Sequence, residues 1–280
     1  MQFDCHMHMV LDGQDWKESI NTHREAPCKA LIQQRLESYR QRGYTYLRDG
    51  GDRWGVGKLA RELSGDYGIT YRTPLAPLCK VGCYGAFIGE VFADLKEYAK
   101  LVVKQKEAGA DFIKIMISGL MDFSKPGEIF MEGPTAAEIK QMVHIAHGEG
   151  FSVMAHCNGS VPALAAAEMG VESVEHGAYL NDEALSAMVE NKVIWVPTLS
   201  TIGNLLGKGR YPDTAVRAIL ESAMENVAAY SAKGGLVAPG SDAGAWAVPH
   251  DADTEEAWLI SAGVGKDQQQ KAALEIIKRF

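Results

Sequence analysis

Short apolar and β-branched runs alternate along this chain with longer stretches whose apolar positions recur at helical spacing. Phe3-Asp4-Cys5-His6 opens the series. A helical stretch over 30–41, stopped by Gly43, feeds Tyr44-Thr45-Tyr46-Leu47, and 69–75 reads as the next strand. The helical segment 94–108 ends at Gly109, a C-cap signal, before the strongly strand-like 111–117. Pro134-Thr135 opens a helix that feeds 151–156, and a short helix over 161–169 precedes 171–176. Asp182 caps a helix reaching Glu190, followed by the extended 193–196. A helix over 214–232 leads through Leu236-Val237-Ala238 to Ser241-Asp242, and a last helical stretch starts at Thr254.

A strand-then-helix rhythm repeated about eight times predicts βαβ units on a parallel sheet, and hence a (β/α)8 TIM barrel. No Pro/Ser-rich linker or block of like charge divides the chain, so one domain over 1–280 is expected. An open doubly wound sheet is the alternative. Composition agrees: 280 residues, 46% apolar and 23% charged, suit one sizeable core and exclude collagen, coiled coil and disorder. The balance of 28 basic against 36 acidic residues, net −8, argues against a nucleic-acid partner. No apolar run approaches the roughly 18 residues of a membrane span, and Met1-Gln2-Phe3-Asp4 has no signal-peptide character. Five cysteines without a framework imply reduced thiols in a cytoplasmic protein. The partner left by elimination is a small-molecule substrate, with a homo-oligomer open.

Barrel active sites lie at the C-terminal ends of the strands, and five such ends carry metal-ligand residue types. His6 and His8, at i and i+2 on a strand, point to one face and can converge on one ion. Lys114 sits inside Phe112-Ile113-Lys114-Ile115-Met116, where a charged amine is costly unless paired. A buried ion pair is one resolution. The other is a depressed pKa and reaction with carbon dioxide, giving a carbamate (N6-carboxylysine) that bridges two cations. His156 and His176 end consecutive apolar runs, and Asp242 ends the last, beside the first strand once a barrel closes. Imidazole and carboxylate ligands suit two divalent ions, zinc first, with manganese, iron and nickel open. Such a pair would hold a bridging hydroxide, with Asp242 as general base and then acid.

In chain order, Asp4-Cys5-His6-Met7-His8, Lys114, His156, His176-Gly177 and Ser241-Asp242-Ala243-Gly244 resemble the amidohydrolase superfamily. The likeness implies that His6, His8 and Asp242 hold one metal, His156 and His176 the other, and carboxylated Lys114 bridges them. Residues 110–118 and 174–184 resemble the imidazolonepropionase-related branch, and Lys114 favours its prolidase-like dipeptidase side. Relatives carry a flanking β-sandwich, which here is absent or truncated: a trimmed barrel or part of a longer chain. Asn158 stands where many relatives of this branch have a second histidine.

The long loops 118–133 and 200–212 offer Lys125, Arg210 and Tyr211 as substrate contacts, and Trp246 and His250 follow Asp242 within one loop. Arg48 and Asp49 are expected to form a structural ion pair beneath the site. The expected activity is hydrolysis of an amide C–N bond in a dipeptide or N-acyl amino acid. Lactone or phosphotriester hydrolysis on the same site, or an inert metal-binding barrel, are the alternatives.

Overall fold

The computed structural model describes residues 2–280. Its strands are β1 (Gln2–Met7), β2 (Tyr44–Asp49), β3 (Thr70–Arg72), β4 (Leu78–Lys80), β5 (Glu90–Phe92), β6 (Ile113–Met116), β7 (Leu120–Met121), β8 (Ile129–Phe130), β9 (Val153–Cys157), β10 (Ser173–His176), β11 (Ile194–Val196) and β12 (Leu236–Val237). β1-β2-β3 form one parallel sheet, and β12-β11-β10-β9-β6-β4-β5 a second. Helices follow the expected periods closely, at Lys29–Gln41, Leu95–Glu107, Ala136–Gly148, Ser160–Glu168, Asp182–Glu190 and Asp213–Ala232. A Thr135/Glu138 capping box starts the third of these. Asn181, not Asp182, caps the fifth, accepting from the amide of Ala184 at 2.9 Å.

The fold is therefore α/β with parallel strands, but the ladders do not close into one eight-stranded cylinder. The strand expected over 69–75, bounded by Gly68 and Pro74, ends at Arg72. Pro74 and Pro77 lack amide hydrogens, and between them Leu75 takes a left-handed φ of 63°. β3 pairs with β2, and beyond Pro77 the chain forms β4, which the expected strands did not include, against β6. At the seam between β3 and β6 the Asp111 N–H donates to Thr73 O at 3.0 Å, and the Thr73 N–H donates to Asp111 Oδ2 at 2.9 Å. At the other seam the chain beyond β12 runs beside β1. Cys5 N donates to Pro239 O (2.9 Å), Asp242 N to His6 O (2.7 Å) and His8 N to Ala243 O (2.7 Å).

Alternation along the strands divides the packing. Ile113, Ile115, Val153, Ala155 and Val174 pack with helix residues such as Met142, Ala146 and Leu185. Phe112, Met154, Ile194 and Val196 gather around the C-terminal Phe280. The long loop after β6 contains the antiparallel β7–β8 hairpin, which its sequence did not announce. No helix among the described residues is long and apolar enough to cross a membrane.

Gly240 is where the second seam is tightest: a Cβ there would lie 2.4 Å from Val196 Cγ1 and 2.9 Å from His6 N. Gly240→Ala should cost about 1–3 kcal/mol by overpacking, read as a lowered urea midpoint. An unchanged midpoint would show that this seam is slack.

Candidate metal centre

β1 delivers His6 from its buried end, with His8 one residue beyond the strand, and Asp242 lies across the seam they share. Asp4, two residues before His6, accepts from both the amide and the hydroxyl of Ser241, which fixes Asp242 in place. His6 Nε2 and His8 Nε2 lie 3.7 and 3.6 Å from Asp242 Oδ1. That is too far for hydrogen bonds and close to the roughly 3.4 Å expected between tetrahedral donors on one cation. One ligand atom from each of the three fits within 4.8 Å of the others. His176 Nδ1 is 3.9 Å from Asp242 Oδ2, and the His176 ring stands 5.0 Å from that of His6 and 4.6 Å from that of His156.

Each imidazole except His8 has one nitrogen fixed by a neighbour. His6 Nδ1 is 2.7 Å from Glu175 Oε2, His156 Nε2 is 3.1 Å from Gly119 O, and His176 Nδ1 is 2.7 Å from Thr198 Oγ1. Donation through that nitrogen leaves the other to carry the lone pair, the tautomer a metal requires. Burial holds all four rings neutral, with His8 and His156 down to about 3 and His6 and His176 well below the ordinary value.

Nine buried side-chain polar atoms among the described residues lack a hydrogen-bond partner, and His6 Nε2, His8 Nδ1, Lys114 Nζ and Asp242 Oδ1 are four of them. Buried orphans are costly, and their concentration at one place fits a site built for a cation. Lys114 is 1% exposed and forms no ion pair; burial pulls its ammonium down, while burial pushes the Asp242 carboxyl up. All four imidazoles feel the Lys114 charge, so it shares their interior.

Two backbone kinks aim these groups. Glu175 reaches His6, so regular alternation would send its neighbour His176 to the opposite face. Instead His176 takes φ 67° and joins the same cluster, and Asp242 does likewise at φ 55°. The helix after Asp242 begins at Glu255 behind Thr254, so the Asp242 carboxylate is not used as a cap.

Glu175 is the functional residue that sequence reasoning missed. Besides His6 it holds Arg48, whose Nη2 donates to Oε1 at 2.9 Å; Arg48 also donates to Cys5 O (2.6 Å) and Ser173 Oγ (2.9 Å). The expected Arg48–Asp49 pair is not formed. Asp49 instead accepts from Thr73 Oγ1 at 3.2 Å, and burial raises its carboxyl to about 7. A glutamate inside Val174-Glu175-His176 carried the same signal as Lys114: a charge in an apolar run.

Above the cluster lies a cavity of about 440 Å3, whose floor includes His156, His176 and Asp242. Arg210, Tyr211 and Trp246 line it as expected, joined by Tyr84, whose ring is 4.8 Å from that of His156. Two expected contacts are elsewhere. Lys125 is exposed and lies 3.4 Å from Glu128, drawn out by the turn before β8. His250 is buried with both ring nitrogens engaged, by Tyr39 Oη (3.1 Å) and Leu11 O (2.8 Å). Asn158 is likewise committed to structure, bonded to Ser118 Oγ, Gly119 O and Ala178 N. Cys5 and Cys157 are buried in apolar clusters that push both thiols up.

No protein-family model matches the chain. Three proteins known only as uncharacterised, Mb2939c of Mycobacterium bovis and MT2982.1 and Rv2915c of Mycobacterium tuberculosis, are 34% identical over 114 residues, 38% of this chain and 30% of theirs. The match thus spans under a third of those relatives. Among solved structures, a Xaa-Pro dipeptidase with bound methionine in its active site superposes with TM-score 0.78 at 21% identity, over 98% of this chain and 74% of that one. Ochratoxinase of A. niger gives 0.79 at 22%, over 97% and 68%. Phenylurea hydrolase B gives 0.74 at 14%, over 99% and 74%. At such identities the likeness is one of fold.

Glu175→Gln keeps the shape but leaves the Arg48 guanidinium without its buried counter-charge. A stability loss of about 3–5 kcal/mol is expected, read from the urea midpoint; a midpoint within error of the parent would sink the idea that this pair organises the interior.

Proposed function

We propose that this chain is a metal-dependent hydrolase of the amidohydrolase superfamily, on its prolidase-like side, that cleaves an amide C–N bond. The observation that carries the reading is the concentration of orphaned, buried donor atoms on His6, His8, Lys114 and Asp242, with His156 and His176 beside them. Its two sheets are read as one (β/α)8 TIM barrel over 1–280, joined by the hydrogen bonds at Pro239–Ala243 and at Thr73–Asp111. The structural neighbours that share the fold include a dipeptidase, an ochratoxinase and a phenylurea hydrolase, which supports hydrolysis as the chemistry. Five free cysteines, three of them buried, suit a reducing cytoplasm.

His6, His8 and Asp242 would hold one divalent cation, zinc by preference of the donor set, and His156 and His176 a second, with Lys114 as its carbamate between them. When bound, such a pair supplies Lewis-acid polarisation of the substrate carbonyl and lowers the pKa of water. Asp242 takes the proton from the attacking water and returns it to the leaving nitrogen, so the C–N bond breaks to an acid and an amine. Thr198, Gly119 and Glu175 keep the imidazoles in the tautomers this needs.

Elemental analysis of the purified protein should find about two divalent ions per chain, and Lys114→Ala one or none. Activity recovered after chelation should need bicarbonate along with metal. Unchanged metal content in Lys114→Ala would refute the bridging role. Asp242→Asn should lower kcat by about 10^2–10^4 on N-acyl amino acids; greater turnover of lactones or aryl phosphotriesters than of any amide would reassign the reaction.

A further inference from the structure

The cavity changes character above its floor. Asp242 is the one carboxylate that lines it and Arg210 the one permanently charged cation, among the described residues. Above the two imidazoles the rest of its wall is mainly apolar, six aromatic rings with aliphatic side chains between them, and carries the neutral polar groups of Gln14, Asn158 and Thr201. Trp16 meets Phe87 edge-on with centroids 5.4 Å apart, and Phe123 stacks on Tyr211 at 4.8 Å and 20°. The Arg210 guanidinium lies 4.4 Å over the Trp246 ring and 5.6 Å from that of Tyr211. Ion pairs are made by Arg40, Arg42, Arg48, Arg61 and Arg72, but not by Arg210. A guanidinium seated over an indole ring and outside any ion pair keeps its fork of donors free for a carboxylate.

The charge inventory discriminates between the two substrate types that a C–N hydrolase of this kind would take. A free dipeptide carries an α-ammonium, which needs a carboxylate partner once it leaves water. The sole carboxylate here is Asp242, at the floor and committed to the cluster. An N-acyl amino acid has no such ammonium. It offers one carboxylate and one apolar acyl group, matching one free guanidinium and aromatic walls.

Resting on the hydrolase reading above, we propose that the substrate is an N-acyl amino acid with an aromatic or bulky apolar acyl group. The acyl group fills the aromatic cavity, Arg210 holds the carboxylate, and the α-nitrogen is the one released.

The metal-loaded protein would be assayed on N-benzoyl-phenylalanine, its C-terminal carboxamide and the free dipeptide Phe-Phe. The acid should exceed both others in kcat/KM by about ten-fold to a hundred-fold, the worth of one charge-assisted hydrogen-bonded contact. In Arg210→Gln the preference of acid over carboxamide should collapse through KM, and Trp246→Leu should raise KM for the acid. Comparable or better turnover of Phe-Phe, or equal losses on acid and carboxamide in Arg210→Gln, would overturn the assignment. The ketomethylene analogue of the acid, with CH2 in place of the scissile NH, reads binding alone by calorimetry. If no amide is cleaved yet the analogue binds in an Arg210-dependent way, the hydrolase reading fails and the ligand class stands. If dipeptides are cleaved and the analogue does not bind, the reaction stands and this inference falls.

Discussion

A carboxylate with no access to water, Glu175, holds the interior of this protein together. One oxygen takes the Arg48 guanidinium and the other the His6 imidazole. The pair is costly to bury, since desolvation rivals the Coulomb gain unless every donor is satisfied. Here the donors are largely satisfied: Arg48 reaches β1 through Cys5 O and β10 through Ser173, and lies 4.4 Å over the Phe280 ring. One ion pair thus ties β1, β2 and β10 together. The same carboxylate sets the tautomer of His6, so the stability of the interior and the readiness of the site have a common origin.

Strain is placed where the site needs it. His176 and Asp242 both adopt left-handed backbone angles, a conformation that costs a non-glycine residue about 1–3 kcal/mol. His176 ends β10, and Asp242 lies in the segment beyond β12 that runs beside β1; both side chains join the cluster. The carboxylate that links the last strand to the first is therefore held by a bend and by three seam hydrogen bonds, rather than by a long ladder.

Much of this was legible in the sequence, for a physical reason. A histidine or lysine inside an apolar run contradicts its surroundings, and His6, Lys114, His156 and His176 each stood out in that way. Helix ends were readable for the same reason, because capping groups and glycines are local signals: the helix at Leu95–Glu107 lies within the limits its flanking Asp94 and Gly109 set. What was not legible depends on distant parts of the chain. The partner of Arg48 is 127 positions away, so adjacency favoured Asp49 wrongly. His250 sits in the right loop, but Tyr39 and Leu11 claim both its nitrogens. The end of the third strand was local and read from Pro74, whereas β4 beyond Pro77, three residues with no periodicity to count, was not read.

On the proposed reading, chemistry and selectivity are built from different material in this molecule. The ligand candidates sit on or beside strand ends whose neighbours are packed on both faces, so their positions are set by the whole core. The aromatic walls and Arg210 come from segments after β1, β4, β6, β11 and β12 that line the cavity together. A change at Trp246 or Tyr211 alters the Arg210 platform and leaves the strand ends untouched. A change at Glu175 or Ser173 would disturb the ligand geometry while leaving the walls in place. On that reading, substrate range and bond cleavage are accordingly separable by mutation: Arg210 and Trp246 would move KM between substrates, whereas Asp242 would move the step that breaks the bond.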